Sequence, residues 1–498
     1  MRKIFALVIS IFCAVIINAQ EANFEWSELI NNATNGLQDP NIVFPKESGF
    51  VTYSIEKQGS QYYAPESIFI TNFSSNFKNE SSISADLPKL SDKDATLLKV
   101  LEGKNKLFFF SHAATKKDGK HVLFVQVYDN DLNSISEPKQ LYELDIEKVN
   151  NSGFFEVAIS PNTEIISVLV NMPFQKKTNE IIDVVNFDSN LKEQFKKSFT
   201  LSYESERAYN ESLFVQNDGT VIIVKKTDLS KKNPNTTILK ITDGVLLENQ
   251  LSSEDFYISD IQTITVDNTH YIIGFATNNA KPVVSMGGYK DTSFFLYNIT
   301  DNKLIKNYYW SKETTKTLLG KGFINLKVKD VFIIGEEIIL IGDCYSRVSE
   351  AIEGKNFEYN YTHRFGSGVA IRCNIEGDVS YEIPLVYFEA YKNEMSRLGS
   401  FYPFLNDGEL NFFANEKESV LKKKKLVAGY DKINAKAPVL RNIQENKLMT
   451  NPFWNSEVGG EDNVTYFAPS KTTRVSNSTF YIYSYGNKYQ QFGKITLK

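Results

Sequence analysis

One short pattern recurs eight times along the 498-residue chain. Its centre is an apolar run of three or four residues, rich in β-branched and aromatic side chains, which is typical of a strand buried on both faces. The eight runs lie at residues 50–53, 107–110, 165–168, 221–224, 271–273, 338–341, 410–413 and 480–483. A unit that returns from end to end predicts a repeat architecture, because each unit needs its neighbours to bury its apolar surface.

Polar turns separate the strands of each unit. Asn-Asp-Gly triplets at 217–219 and 406–408 stand just before two of the apolar runs, and Asn and Gly tolerate the positive φ that tight hairpins require. A further strand follows each run and ends in another polar turn, with clear copies at 125–128, 184–187, 238–241, 295–297 and 371–373. We call the apolar run strand B and the following strand C of a unit with strands A to D.

These units predict an all-β fold, a single closed β-propeller of about eight four-stranded antiparallel blades over residues 20–498. Successive B strands start 50 to 72 residues apart, which leaves room for four strands and generous loops in each blade. Seven blades would result if one hairpin is misread, and two β-sandwiches are the other arrangement that such strands allow. The propeller is favoured because one pattern persists without a linker.

The two ends of the chain predict how the ring closes. Residues 495–498 read as a C strand with no sequence left for a fourth strand. Residues 24–29 precede the first A strand, near 42–44, and have no other place in the repeat. We therefore expect the N-terminal strand to complete the last blade and cover its otherwise exposed edge.

Residues 1–19 predict a signal peptide. Arg2 and Lys3 precede an apolar stretch, residues 4–17, that is too short to span a bilayer comfortably, and Ala19 is a small residue at the expected cleavage point. An uncleaved N-terminal anchor is the alternative. No other apolar run approaches the ~20 residues of a membrane helix, so we expect a periplasmic, outer-surface or secreted protein with no transmembrane segment after cleavage.

The signal ends in Asn-Ala-Gln, and the chain is rich in Asn, Lys, Ile and Phe. In these features it resembles uncharacterised secreted and envelope proteins of Bacteroidetes-type bacteria. The resemblance covers the signal and the general composition only. It implies an envelope or secreted protein and assigns no functional residue.

Charge and motif content exclude several kinds of function. The formal net charge of −5 argues against a nucleic-acid partner, which requires a strong basic field. The four histidines lie far apart in sequence with no metal-ligand spacing, and no phosphate-binding loop is present. We therefore expect no metal, no cofactor and no nucleic acid, and we expect a monomer.

The B–C loops of a propeller share one face with the links between blades, and here they vary most in length, which is typical of binding loops on a rigid scaffold. The largest insertion is the B–C loop of the sixth blade, residues 345–367. It contains Tyr361, His363 and Arg364, which together can hold a sugar or peptide by stacking and directed hydrogen bonds. The alternative is an ordered loop that packs on its neighbour.

Further candidates lie in two other segments of this face. Phe453 and Trp454 belong to the link into the eighth blade, where a tryptophan can stack on a pyranose ring or fill the gap between blades. Tyr289 lies in a glycine-containing loop of the fifth blade, residues 278–291. Cys344 and Cys373 lie on neighbouring strands, so they form either a disulfide, if their register agrees, or two free thiols.

No catalytic signature emerges from these residues. The sequence therefore favours a non-catalytic binding or scaffold propeller that recognises a protein, peptide or glycan through its B–C face. The alternative is a polysaccharide-active enzyme of the glycoside hydrolase or lyase kind, with carboxylates converging near the central channel. Such an enzyme would need two carboxyl groups about 5–10 Å apart in a deep, aromatic-lined pocket.

Overall fold

The computed structural model describes most of the chain between residues 22 and 497. The described ranges are 22–34, 37–57, 66–132, 134–205, 211–227, 235–251, 257–277, 290–317, 323–324, 326–351, 359–386, 389–392, 398–417, 436–444, 447–452, 465–486 and 488–497. These residues form eight antiparallel sheets, each with four strands along its main path, arranged as the blades of a β-propeller. The predicted fold class and blade number are confirmed, and the seven-bladed and two-sandwich alternatives are wrong.

The first four blades follow the repeat closely. Their strands A to D are, in blade 1, Asn41–Lys46, Gly49–Lys57, Glu66–Ser74 and Asn79–Asp86; in blade 2, Thr96–Glu102, Lys106–Thr115, Lys120–Asp129 and Ser134–Asp145; in blade 3, Phe154–Ile159, Ile165–Asn171, Asn179–Asp188 and Glu193–Glu204; in blade 4, Glu211–Val215, Val221–Thr227, Asn235–Thr242 and Val245–Leu251.

The last four blades carry the larger additions. Their strands A to D are, in blade 5, Tyr257–Val266, Thr269–Thr277, Ser293–Asn298 and Lys303–Tyr309; in blade 6, Leu326–Ile334, Glu337–Ala351, Tyr359–Asn374 and Val379–Leu385, with Glu389–Lys392 added beside strand C; in blade 7, Tyr402–Asn406, Glu409–Lys417, Lys436–Gln444 and Lys447–Pro452; in blade 8, a split strand A of Thr465–Phe467 and Thr473–Arg474, then Thr479–Gly486, Tyr489–Leu497 and Ala22–Trp26.

Short elements connect the blades. The described part of the chain has the two-stranded ribbons Lys89–Leu90 with Lys93–Asp94 and Lys290–Asp291 with Phe323–Ile324, the strand Ile30–Asn31, the α-helix Lys312–Thr317, and the 3-10 turns Val149–Asn151 and Pro469–Lys471. No helix among the described residues is long and apolar enough to cross a membrane.

All eight predicted apolar runs lie within B strands, and the core explains why. Successive blades pack face to face, so the B and C strands are covered on both sides and have no polar face. Between blades 2 and 3, for example, Phe110, Val125, Val157 and Val168 are completely buried in one cluster. The continuous apolar run, rather than an alternating pattern, is therefore the signature of these strands.

The ring closes as the ends of the sequence predict. Strand Ala22–Trp26 pairs antiparallel with the C strand of blade 8, with Ala22 opposite Leu497 and Trp26 opposite Gly493. The pairing resumes with Ile30 opposite Gln490. Blade 8 also contacts blade 1, where the Tyr481 hydroxyl donates to the Lys46 carbonyl at 2.9 Å. The first and last sequence segments thus share one blade.

The connections differ between the two faces of the ring. The A–B and C–D turns contain two to five residues, and the predicted positive φ is present at Gly219 (85°) and Gly408 (77°). The B–C connections range from two residues, 487–488, to eighteen residues, 418–435. The structure therefore has one face of short turns and one face of variable connections.

The structure does not join the two cysteines predicted as a disulfide or as free thiols. Cys344 and Cys373 are both buried, and no disulfide joins them. Cys344 lies opposite Gly366 and Cys373 lies opposite Ile338, so six residues of strand separate them, or roughly 20 Å at ~3.3 Å per residue. A disulfide needs Cα atoms within ~7 Å, and the disulfide alternative is therefore wrong. Burial raises the pKa of the Cys373 thiol to about 12.

Candidate functional site

The most distinctive feature of the B–C face is a long hairpin on blade 6. Strands B and C of this blade contain 15 and 16 residues, whereas the B and C strands of the other blades contain 6 to 10. Their pairing continues from Cys344 opposite Gly366 to Ala351 opposite Tyr359. Most of the loop predicted at residues 345–367 is therefore paired strand, which corrects the expectation of an irregular insertion.

A third strand widens this hairpin. Glu389–Lys392 pairs with strand C, with His363 opposite Tyr391 and Phe365 opposite Glu389. The B and C strands continue from the blade into the extension with one register shift, between Gly342 and Cys344, and the blade holds the extension in place. The local sequence suits a strand because side chains alternate between faces with a period of two, and Tyr361, His363 and Phe365 share one face.

Four side chains on that face form what we call the aromatic ladder: Tyr345, Arg347, Tyr361 and His363. The Tyr345 hydroxyl lies 2.8 Å from His363 Nδ1, and the two rings are stacked with centroids 6.0 Å apart. The Arg347 guanidinium lies 4.8 Å from the centre of the Tyr361 ring, and Tyr361 and His363 are 6.5 Å apart. Tyr345 is 38% exposed. The ladder is thus a continuous surface of π-faces and one cation.

The ladder rests on a buried aromatic base. The Phe365 ring is 5.3 Å from Tyr345 and 6.2 Å from the buried Tyr391. At Gly399 an added Cβ would lie 2.1 Å from the Phe365 ring, so only glycine fits there. This base therefore supports the Tyr345 ring of the ladder.

Charge and protonation of the ladder follow from burial. Partial burial, and then the Arg347 charge, lower the pKa of His363 below its usual value. The imidazole is therefore neutral at pH 7, with one ring nitrogen as donor and the other as acceptor. Arg347 then carries the positive charge of the ladder.

The predicted site residues divide into three groups. Tyr361 and His363 come together as expected, and Tyr345 and Arg347 join them from strand B, which sequence reasoning missed. Arg364 points to the other face, because it alternates with His363 and lies opposite Ser346. The predicted residues Tyr289, Phe453 and Trp454, like the signal segment 1–19, lie outside the described residues.

A second cluster lies on the same face, between blades 4, 5 and 6. We call it the ionisable cluster: Lys226, Tyr257, Asp260, Asp291 and Lys327. Lys226 Nζ donates to the Tyr257 hydroxyl at 2.5 Å and lies 4.1 Å from the centre of that ring. Asp260 accepts a 3.3 Å bond from Lys327 Nζ. Each residue stands at the end of a B strand, in a B–C connection or at the start of an A strand, so all of them lie towards the B–C face.

Burial perturbs two groups of the ionisable cluster. It raises the pKa of the fully buried Asp291 carboxyl to about 7, and a 2.6 Å bond from the Leu326 amide only partly offsets this effect. Burial, and then the Lys327 charge, lower the pKa of Lys226 to about 8. Such perturbed groups concentrate at functional sites, although structural ion networks produce them as well.

The central channel contains a large cavity. Its volume is about 880 Å³, and it is bounded by the A strands of blades 3 to 6 and the A–B turns of blades 3 to 5. Polar side chains on its wall include Gln216, Gln262, Thr265, His270 and Lys329. Phe214 supplies the only phenyl, phenol or indole ring among the described lining residues. The cavity lies towards the A–B turns of the channel, where only the enzyme alternative placed a site.

Histidines 112 and 121, which look remote in sequence, meet across the B–C hairpin of blade 2. His112 Nδ1 lies 2.9 Å from His121 Nε2, and His121 Nδ1 lies 2.9 Å from the Ser152 carbonyl. Burial, and then the neighbouring His121, lower the pKa of His112 to about 4, so the pair is neutral. The described residues include no group of three or more His, Cys, Asp or Glu side chains that could hold a metal ion.

Comparisons with known proteins identify no family for this chain. No protein-family model matches the chain, and no curated protein matches it. Similar solved structures include the WD40 domain of SCAP from fission yeast, at 10% identity over 96% of this chain and 94% of that chain, with a TM-score of 0.39. The β-propeller domain of the Trilobed protease from Pyrococcus furiosus is 9% identical over 85% and 99% of the two chains, with a TM-score of 0.36. A protein of unknown function from Bacteroides caccae is 11% identical over 67% and 93%, with a TM-score of 0.29.

Proposed function

We propose that this protein is an exported, non-catalytic binding or scaffold propeller that recognises a protein, peptide or glycan through its B–C face. The observation that carries this proposal is the aromatic ladder, in which Tyr345 and Arg347 are exposed and Tyr361 and His363 are half-buried on an extension of blade 6. A closed ring of eight blades supplies the scaffold.

The chemistry of the ladder favours a protein or peptide ligand. Tyrosine and arginine are enriched among the residues that dominate binding energy at protein interfaces. Because Tyr345 already packs on Phe365 and contacts His363, and Arg347 already lies over Tyr361, little side-chain freedom remains to be lost on binding. A strand surface is also flat, whereas sites for small ligands are concave. The other possible ligand is a glycan stacked on Tyr345 and Tyr361, and the experiment must distinguish it from a protein or peptide.

The cavity offers little support for a polysaccharide-active enzyme. Among its described lining residues only Phe214 has a phenyl, phenol or indole ring, whereas an enzyme of this kind needs an aromatic-lined cleft with paired carboxylates. Asp218, one of the lining carboxylates, accepts bonds from the Thr220 amide at 2.8 Å and the Thr220 hydroxyl at 3.1 Å. That carboxylate shapes a turn. The binding role therefore has the better support.

Export rests on residues 1–19 and leads to a periplasmic, outer-surface or secreted location. Its test is fractionation of expressing cells combined with N-terminal sequencing of the mature protein. We expect a chain that begins at Gln20 in the envelope or medium. A chain that retains Met1, recovered from the cytoplasm, would contradict this part of the proposal.

The ladder itself is tested with a double variant, Tyr345→Ala with Tyr361→Ala. The matched control is Tyr309→Ala, a 48% exposed tyrosine on strand D of blade 5. Each protein is used to capture partners from envelope extract, and is applied to a peptide library and a glycan array. We expect the double variant to bind the captured ligand at least about tenfold more weakly, because truncating a central interface residue costs more than ~1 kcal/mol.

Two outcomes would overturn the proposal. Equal binding by the wild type and the double variant would show that the ladder is not the contact surface. Release of sugars from a polysaccharide by the purified protein would show that the function is catalytic. A glycan-array signal without peptide binding would retain the ladder but identify a glycan as its ligand.

A further inference from the structure

The wall of the channel cavity holds a short hydrogen-bond relay that no function on the B–C face requires. Thr265 Oγ1 donates to Gln216 Oε1 at 2.8 Å and lies 3.1 Å from His270 Nδ1. Gln216 comes from the A–B turn of blade 4, while Thr265 and His270 come from strands A and B of blade 5. All three side chains line the cavity. The relay therefore joins two blades at the cavity wall.

The directions of these bonds are fixed by the supply of protons. A threonine hydroxyl has one proton, and Thr265 donates it to the oxygen of Gln216. His270 must then donate its Nδ1–H to Thr265, which leaves a lone pair on Nε2. Burial is the main effect that lowers the pKa of His270, and the Lys240 charge adds to it while Asp218 opposes it. The imidazole is thus neutral, with Nε2 as an acceptor.

The other end of the relay presents donors. With its oxygen bonded to Thr265, the amide of Gln216 has its two N–H groups for a ligand, and no acceptor among the described residues contacts them. Gln216 is 5% exposed, so this amide is held in position within the wall. The relay consequently offers one fixed acceptor and one fixed donor to the same cavity.

Carbohydrates match this combination. A sugar hydroxyl donates and accepts at once, so adjacent hydroxyls can meet both ends of the relay. The C–H faces of a sugar can lie on the apolar wall formed by Phe214, Ile264 and Val331. The volume of about 880 Å³ falls within the range of roughly 300–1,000 Å³ that is usual for small-ligand pockets.

Charge selects among saccharides. The described lining includes the carboxylates Asp218, Asp267 and Asp330 against one ammonium, Lys329. With His270 neutral, the wall has an excess of negative charge, which disfavours sugar acids and phosphates because like charges repel.

We propose that the channel cavity between blades 3 and 6 is a binding site for a neutral saccharide, with Gln216 and His270 as its hydrogen-bonding residues and Thr265 as the residue that orients them. This site lies on the A–B side of the ring. It goes beyond the proposed function, which concerns a ligand on the opposite face of the ring.

The test uses the mature chain and four neutral disaccharides: maltose, cellobiose, lactose and N,N′-diacetylchitobiose. Binding is detected by saturation-transfer NMR and quantified by titration calorimetry, with glucuronic acid as the acidic comparison. We expect at least one disaccharide to bind and glucuronic acid not to bind. Thr265→Val should weaken binding about tenfold, because it removes the hydroxyl that orients Gln216 and His270, and one hydrogen bond contributes about that much to affinity.

Two control proteins keep the result specific. Thr200→Val makes the same chemical change at an exposed position on strand D of blade 3, and should bind as the wild type does. The Tyr345→Ala, Tyr361→Ala variant should also bind as the wild type, since the ladder is on the other face. His270→Gln provides a second change in the relay, and circular dichroism confirms that each variant is folded.

The proposal is overturned if none of the four disaccharides binds at millimolar concentration. Equal affinity for the wild type and Thr265→Val would also overturn it. Loss of saccharide binding in the ladder variant would place the sugar on the B–C face, which would reject the channel site while leaving the ladder as a binding surface.

Discussion

The closure of the ring can be measured through one pair of residues. The Trp26 ring, on the N-terminal strand, lies directly against Gly493 in the C strand of blade 8. A Cβ added at Gly493 would lie 2.7 Å from two atoms of that ring and 3.0 Å from Ile482 Cγ1. Gly493→Ala should therefore destabilise the protein chiefly because Trp26 occupies the space.

The expected free energies follow from these contacts. Overpacking by a methyl group costs about 1–3 kcal/mol. Trp26 is half-buried, so Trp26→Ala should cost about 2 kcal/mol, roughly half the cost for a fully buried tryptophan. Without the indole, the two closest contacts of the added methyl group are removed, and the contact with Ile482 Cγ1 at 3.0 Å remains. Replacing a strand glycine by alanine also returns about 0.5–1 kcal/mol. Gly493→Ala should then be close to neutral, which gives a coupling energy of about 1–2 kcal/mol.

The assay is a double-mutant cycle of urea unfolding, followed by circular dichroism on the wild type, both single variants and the double variant. The matched control pairs Trp26→Ala with Leu247→Ala, a 55% exposed residue of blade 4, and should be additive within ~0.5 kcal/mol. Additivity of Trp26→Ala with Gly493→Ala would refute the reasoning, because it would mean that the indole does not pack on strand C in solution.

Three further perturbations have defined outcomes. Deleting residues 22–32 should lower the urea midpoint sharply and expose blade 8 to proteolysis, because its C strand loses its pairing partner; an unchanged midpoint would contradict this. Lys225 Nζ and Glu180 Oε1 form a 2.5 Å ion pair with both side chains 2% exposed. Lys225→Met should therefore cost about 3–5 kcal/mol in urea unfolding, and Lys225→Met with Glu180→Leu should regain most of it. Because the pKa of Asp291 is raised to about 7 in the folded protein, the folded state binds a proton that the unfolded chain releases above pH ~4, so stability falls as pH rises from about 4 to 7. Between these pH values Asp291 should account for a fall on the order of 4 kcal/mol in the free energy of unfolding, and Asp291→Asn should remove that fall. A variant whose stability depends on pH as the wild type's does would be evidence against this assignment.

The repeat could be predicted from sequence because its determinants are local. An apolar run is buried wherever two blades face each other, and a tight turn needs Asn, Asp or Gly whatever surrounds it. These rules hold in each blade separately, so eight B strands emerged from one sequence. The closure by Ala22–Trp26 followed from counting strands, since an incomplete last blade needs one more.

The blade 6 hairpin shows where local rules mislead. Gly366 and Gly368 suggest a loop by composition, but in the structure they permit close approach of two strands. A Cβ at Gly368 would lie 2.2 Å from the Gly342 carbonyl oxygen, and one at Gly366 would lie 3.2 Å from Cys344 Cβ. The alternation of Tyr359, Tyr361 and the residues that follow was the signal for a strand. Tyr345 joins the ladder because strands B and C of blade 6 pair in a register that places it opposite Phe365. The turn residues in the sequence do not determine that register.

The relay in the channel could not be predicted from sequence. Gln216 and Thr265 are 49 residues apart and meet because the ring brings the A–B turn of blade 4 beside strand A of blade 5. Their relative height is set by packing of whole blades against each other, which depends on many side chains at once. The His112–His121 contact, within one hairpin, was accessible in principle because the tight turn at Gly119 fixes the register of the two strands.

Blade 6 departs most from the repeat, and its departures concern both faces of the ring. Its long B and C strands carry the aromatic ladder, and its A strand places Lys329 and Asp330 in the cavity wall. The A strand shifts register between Val328 and Asp330, as the A strand of blade 5 does between Ile258 and Asp260. Between the two faces, strands B and C of blade 6 are completely buried over residues 338–341 and 369–371, and such close-packed segments yield little to local perturbation. Sequence outside these segments can vary to suit a ligand without disturbing the ring, which is why one blade can depart from the repeat while the fold stays regular.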